Sequence, residues 1–144
     1  MRRHLLVSFD DSELSDRALT YACSAFPEDR ITVMYVIDAH SDETAATGWG
    51  NTTDQYERWV TSRREFADEL LHHAETIADE HGVALDTVVA IGRVRDAIVD
   101  YDTANDVDLV VMGFHPRSRL SAYLAGEFSD RVIRSSDLPV ALVK

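Results

Sequence analysis

Two kinds of hydrophobic pattern alternate along the chain. His4 to Phe9 (HLLVSF) is a short, nearly continuous apolar run with β-branched content, ended by Asp10-Asp11-Ser12, which are turn and helix N-cap residues. Leu14, Ala18, Tyr21, Ala22 and Ala25 then recur at helical spacing until Pro27 closes the segment. Ile31 to Ile37 (ITVMYVI) reads as a second buried strand. From Tyr56 the positions Trp59, Phe66, Leu70, Ala74, Ile77 and Ala78 predict a long amphipathic helix, with Gly82 where a C-cap glycine belongs. Leu85 to Ile91 predicts strand three, Gly92 turns the chain, and Asp96 to Asn105 predicts a helix carrying Ala97, Ile98, Tyr101 and Ala104. Leu109 to Met112 follows as strand four, then a loop from Gly113 to about Gly126, a helix from Phe128 to Ser135, and strand five from Leu138 to Val143. Asp38 to Asp54 has neither period and reads as an insertion, whose Gly48-Trp49-Gly50 suits a lid over the carboxyl end of strand two.

Strands that are apolar throughout, alternating with helices, predict an α/β fold: an open, doubly wound, five-stranded parallel sheet with helices on both faces. In such folds ligands collect outside the carboxyl ends of the strands, where the strand order reverses. With the order 3-2-1-4-5, that crevice lies between strands one and four, and Asp10 and Gly113 face each other across it. The 144 residues suit one domain spanning 1–144, a size at which roughly two thirds of the unfolded surface is buried without disulfide or structural metal.

Composition narrows the function classes. The chain carries 26 acidic against 14 basic side chains, a formal charge of −12, which argues against nucleic acid as a partner because that affinity rests on Lys and Arg at phosphates. Seventeen of the acids are Asp, thirteen of the bases are Arg, and the only lysine is Lys144. An Asp-rich, lysine-poor surface suits molar salt, where screening removes self-repulsion, so a halophilic source is expected. The missing internal lysine removes a Walker-type P-loop, a Schiff-base enzyme and a phosphoacceptor receiver domain. Cys23 is the single cysteine and falls at helical spacing with Leu19 and Phe26, as a small core residue would. No run approaches the roughly 18 apolar residues of a membrane span, so a cytoplasmic protein without a membrane partner is expected. His72, His73 and His81 lack a partner at i+4, and no metal is expected.

Four segments, LLVSFDDSELSDRAL, ITVMYVID, GRVRDAIVDYDTANDVDLVVMG and GEFSDRVIRSSDLPVALV, in this order and spacing, resemble the universal stress protein family across essentially the whole chain. Many members of that family bind ATP through a Gly-x-x-Gly, nine residues, Gly-Ser/Thr signature whose glycine-rich backbone and helix N-terminus cradle the phosphates. Gly113 fills the first position, but Pro116 stands at the second; Arg117 to Ala125 supply the nine residues, Gly126 the third glycine, and Glu127 replaces the hydroxyl residue. Phe128 opens the following helix, and Ser129 retains a hydroxyl two positions on. The resemblance therefore implies a ligand set of Asp10, Val36, Met112, Gly113, Arg117, Gly126, Phe128 and Ser129. Asp10, Val36, Met112 and Gly113 line the base pocket in that set. ATP or another adenine nucleotide is the implied cofactor class, with phosphate binding weakened because Pro116 has no N–H to donate and Glu127 adds a repelling carboxylate.

Two functions fit these residues. One is a non-catalytic stress or regulatory domain acting on a small-molecule ligand. The alternative is a nucleotide-dependent enzyme of the same fold, hydrolysing ATP or transferring an adenylyl group; against it stands the absence of a base, metal cluster or lysine converging with the loop. A homodimer is expected through Leu138 to Val143, an apolar edge strand with Pro139 at its start.

Overall fold

The computed structural model describes residues 2–38, 53–114 and 138–144. Within them the chain runs β1 (His4–Ser8), α1 (Glu13–Ala25), β2 (Arg30–Ile37), α2 (Thr53–Glu80), β3 (Leu85–Ile91), α3 (Val94–Asn105), β4 (Leu109–Gly113) and β5 (Val140–Val143). All strand pairs are parallel and the order is β3-β2-β1-β4-β5, as the patterning predicts. The order reverses between β1 and β4, the switch point at which the sequence pattern predicts a ligand crevice.

Alternate residues of the strands feed two cores. Leu5, Val7, Ile31, Val33, Tyr35, Ile37 and Val111 pack with α1 and α2 on one face; Leu6, Met34, Val110 and Met112 pack with Ile98 of α3 on the other. The central strands β1, β2 and β4, covered on both faces, are mostly apolar along their length. Cys23 is buried in the first core, and burial pushes its thiol pKa up, as an inert packing residue requires.

The helix boundaries have local causes. The Ser12 hydroxyl accepts from Ser15 N at 3.2 Å and starts α1. At the end of α2, Gly82 has φ +68°, Gly82 N donates to Asp79 O at 3.0 Å and Val83 N to Ala78 O at 2.9 Å; this is a Schellman motif, its apolar contact supplied by Val83 and Ala78 of the core. Asp106, at φ 53°, takes the left-handed position after α3, where the Asp102 carboxylate accepts from Val107 N at 2.9 Å.

Several predicted limits shift. Helix α3 starts at Val94 instead of Asp96, because Arg93 is the N-cap and Ala97 N already donates to Arg93 O at 2.9 Å. Asp96 thus sits in the first turn, where its carboxylate meets the positive end of the helix. Thr53 and Asp54, read as the end of the insertion, are the first residues of α2. Gly113, read as loop, pairs with Val143 and belongs to β4, while β1 stops at Ser8 and β5 begins at Val140. The helix expected from Phe128 to Ser135 lies outside the described residues.

At the amino edge of the sheet a polar cluster is buried between β1, β2 and α3. His4 is 6% exposed and Thr32 1%. One proton arrangement satisfies the group: Tyr101 Oη donates to Thr32 Oγ1 at 3.3 Å, Thr32 Oγ1 to His4 Nε2 at 2.8 Å, and His4 Nδ1 to Asn105 O at 3.4 Å. His4 N also donates to the Asp108 carboxylate at 2.7 Å.

Candidate functional site

The site is built from the strand ends at the carboxyl edge. Phe9 N donates to Met34 O at 2.9 Å, the last bond between β1 and β2, and the chain then turns at Asp10. Asp10 Oδ1 accepts from Ser12 N at 2.8 Å and from Ser15 Oγ at 2.7 Å, while Asp10 N donates to Ser15 Oγ at 3.0 Å. A half-buried carboxylate is thereby held at the amino end of α1, where the helix dipole favours negative charge. Among the described residues no donor reaches Oδ2.

Across the switch point, β4 ends at Gly113, and Phe114 N donates to Val143 O at 2.8 Å. A Cβ on Gly113 would lie 2.7 Å from Leu14 Cβ and 2.8 Å from both Leu14 C and Leu14 O. The end of β4 therefore abuts the first turn of α1, beside the serine that holds Asp10. Gly113 thus meets the helix turn whose Ser12 and Ser15 hold Asp10.

Val36 and Met112 sit on the opposite face of the sheet. Met112 is 2% exposed and forms part of the second core with Leu6, Met34 and Ile98; Val36 is half-buried against that core. Both are packing residues of that second core. The other residues of the implied set, Arg117, Gly126, Phe128 and Ser129, lie outside the described residues, as do Pro116, Glu127 and Trp49.

Pattern reading missed Ser15. Its position three residues after the N-cap, in Ser12-Glu13-Leu14-Ser15, is where a capping-box partner stands, and that spacing was the available signal. It also missed the anchoring of α2 on the end of β2, where Arg63 donates to Tyr35 Oη at 2.7 Å with its guanidinium 4.5 Å from the Phe66 ring. On the flank of α1, His73 Nε2 lies 3.2 Å from both oxygens of Asp16 and joins α2 to α1.

The described part of the site offers a fixed carboxylate acceptor at a helix amino end. That arrangement suits a ligand group carrying N–H or O–H donors. Among the described residues no group of three or more His, Cys, Asp or Glu is placed to hold a metal ion, and no helix is long and apolar enough to cross a membrane.

A family model described as the universal stress protein family matches residues 1–144. The chain belongs to the universal stress protein family. A general stress-response role follows from that membership. Among curated relatives, Universal stress protein MJ0577 of Methanocaldococcus jannaschii is 22% identical over 155 residues, covering 100% of this chain and 96% of its own. Among solved structures, universal stress protein UspA from Lactobacillus plantarum superposes with a TM-score of 0.76 at 19% identity, covering 100% of this chain and 99% of that one. A universal stress protein in complex with cAMP superposes at 0.64 with 20% identity, covering 99% and 96%. The Archaeoglobus fulgidus universal stress protein in complex with dAMP superposes at 0.62 with 20% identity, covering 99% and 98%. These structural likenesses establish the shared fold.

Proposed function

We propose that this universal stress protein is a non-catalytic regulatory domain that senses an adenine-type ligand at the carboxyl ends of β1, β2 and β4. The observation that carries the reading is the Asp10 carboxylate, held by Ser12 and Ser15 in the helix turn that Gly113 abuts through Leu14, where the strand order reverses. Two solved members of the family hold cAMP and dAMP, which supports an adenine-containing ligand here. Asp10, Val36, Met112 and Gly113 would meet the base side, and Arg117, Gly126, Phe128 and Ser129 the phosphate side.

The phosphate side is the weaker half. Pro116 removes a backbone donor, and a lost hydrogen bond to a charged group costs about 1.5–3 kcal/mol. Glu127 sets a carboxylate against the anion, at a cost of about 1–4 kcal/mol for like charges some 4 Å apart, depending on screening. Adenosine-type ligands are therefore tolerated better than ATP. The Asp-rich composition supports a salt-adapted, cytoplasmic protein with no nucleic-acid partner, and edge strand β5, where Leu142 is 49% exposed, supports a homodimer through Leu138 to Val143.

Titration calorimetry with adenosine and with ATP, on the unsubstituted protein and on Pro116→Gly/Glu127→Ser, tests the ligand reading. The double substitution is expected to raise ATP affinity at least 100-fold and adenosine affinity by less than threefold. Tight, magnesium-dependent ATP binding by the unsubstituted protein would overturn it, and steady release of ADP or pyrophosphate from ATP would favour the enzyme instead.

A further inference from the structure

Ser15 has more hydrogen bonds than its place in the helix needs. A cap at the start of α1 requires the Ser12 hydroxyl and the Ser15 backbone N–H, and these meet at 3.2 Å. An alanine at position 15 would cap equally well. The Ser15 hydroxyl, on a residue only 4% exposed, instead turns back to Asp10: it donates to Oδ1 at 2.7 Å and accepts from Asp10 N at 3.0 Å and from Ser12 Oγ at 3.3 Å. Together with Ser12 N, it commits one carboxylate oxygen to the protein and fixes the rotamer of the other.

We infer that Ser15 is a positioning residue for ligand recognition: by holding Asp10 Oδ1 it presents Oδ2, in one orientation, to an N–H or O–H donor of the ligand. This rests on the carboxyl-edge crevice being the ligand site. It adds a selectivity of chemical kind, since an oxygen that only accepts favours ligands with a donor at that point and disfavours those with an acceptor or an anion. Without the Ser15 hydroxyl the carboxylate keeps a single donor and gains rotamer freedom, which binding must then remove.

The test separates orientation from recognition. In the unliganded protein, NMR three-bond couplings across χ1 of Asp10 are expected to show one rotamer, and in Ser15→Ala an average of rotamers. Ser15→Cys, close in volume and a much weaker donor, is expected to show the same averaging. In calorimetric titrations with adenosine, Ser15→Ala is expected to bind about tenfold more weakly, equivalent to about 1.4 kcal/mol. The same substitution in an Asp10→Ala background is expected to change affinity by less than twofold. A single Asp10 rotamer retained in both variants, or an equal loss of affinity with and without the Asp10 carboxylate, would overturn the inference. Failure of the unsubstituted protein to bind adenosine, with the averaging observed, would overturn the adenosine-type reading of the ligand and leave Ser15 as the residue that orients Asp10.

Discussion

Replacing Gly113 by alanine adds one carbon where the fold has no room for it. The new Cβ would stand 2.7–2.8 Å from three atoms of Leu14, whereas carbon atoms at optimal separation lie about 3.5–4.0 Å apart, so something must move by about 0.7 Å or more. Neither side yields easily. The first turn of α1 is tied down by the bonds among Asp10, Ser12 and Ser15, and the end of β4 by its pairing with β5 and by the bond from Phe114 N to Val143 O. Overpacking a well-packed site costs about 1–3 kcal/mol, and the stiffer unfolded chain returns about 0.4–1 kcal/mol of it. The central values leave a net cost of about 1.3 kcal/mol, or about 4 °C in Tm for a chain of this length. Thermal and urea unfolding followed by circular dichroism measures it. Gly82 is the control: it has φ +68° with nothing within 4 Å of an added Cβ, so asparagine, which tolerates that conformation, should be accepted there better than alanine. At position 113 asparagine should be worse than alanine, because the cost there is volume. A Gly113→Ala variant within 0.5 kcal/mol of the unsubstituted protein would refute the packing argument.

Three further outcomes follow from named contacts. The Arg3 backbone N–H donating to Asp29, reinforced by the Arg3 guanidinium 2.8 Å from Oδ2, holds that carboxyl below its ordinary value. The resulting stability is present above the unfolded value near about 3.9 and is lost as pH falls through the lower folded value; Asp29→Asn should therefore flatten the acid limb of a Tm–pH curve below about pH 4 and leave its slope above pH 5 unchanged. Asp106→Gly, at φ 53°, should raise stability by about 0.5–1 kcal/mol in urea unfolding, since glycine takes the left-handed position without a Cβ penalty. If the chain dimerises through β5, Leu142→Asp should convert a dimeric mass in analytical ultracentrifugation to a monomeric one, and an unchanged mass would remove that edge from the interface.

Much of the fold was legible because a parallel sheet covered on both faces leaves a plain imprint. Ile31 to Ile37, apart from Thr32, and Leu109 to Met112 are near-continuous apolar runs, which hydropathy finds without help from tertiary context. Strand ends are less legible, because pairing and not hydropathy terminates a strand: Gly113 looks like a turn residue yet pairs with Val143. The start of α3 was misplaced for a related reason, since Asp96 is an attractive helix opener while the first bond is accepted three residues earlier by the backbone of Arg93. In the site, the Asp10-Asp11-Ser12 run announced a helix cap at the end of a strand. The contact of Gly113 with Leu14 joins residues 99 positions apart and has no local signature.

The polar cluster at the amino edge of the sheet decides something the aliphatic core cannot. Parallel strands buried on both sides are nearly degenerate to sliding: a shift of β2 along β1 by one residue would swap valines, leucines and isoleucines for one another at little cost. His4 and Thr32 break that degeneracy, for in any shifted alignment an imidazole and a hydroxyl would be driven into hydrocarbon without Tyr101 and Asn105 to meet them, at about 1–3 kcal/mol for each stranded group. The cluster acts as a key cut into otherwise uniform stock, admitting one setting of β1, β2 and α3. Since strands are rigid over such lengths, the setting chosen at one edge is transmitted to the other. A buried hydrogen-bonded chain at the amino edge thus helps set how far β1 and β2 each reach at the carboxyl edge, where Asp10 follows the one and Val36 lies near the end of the other.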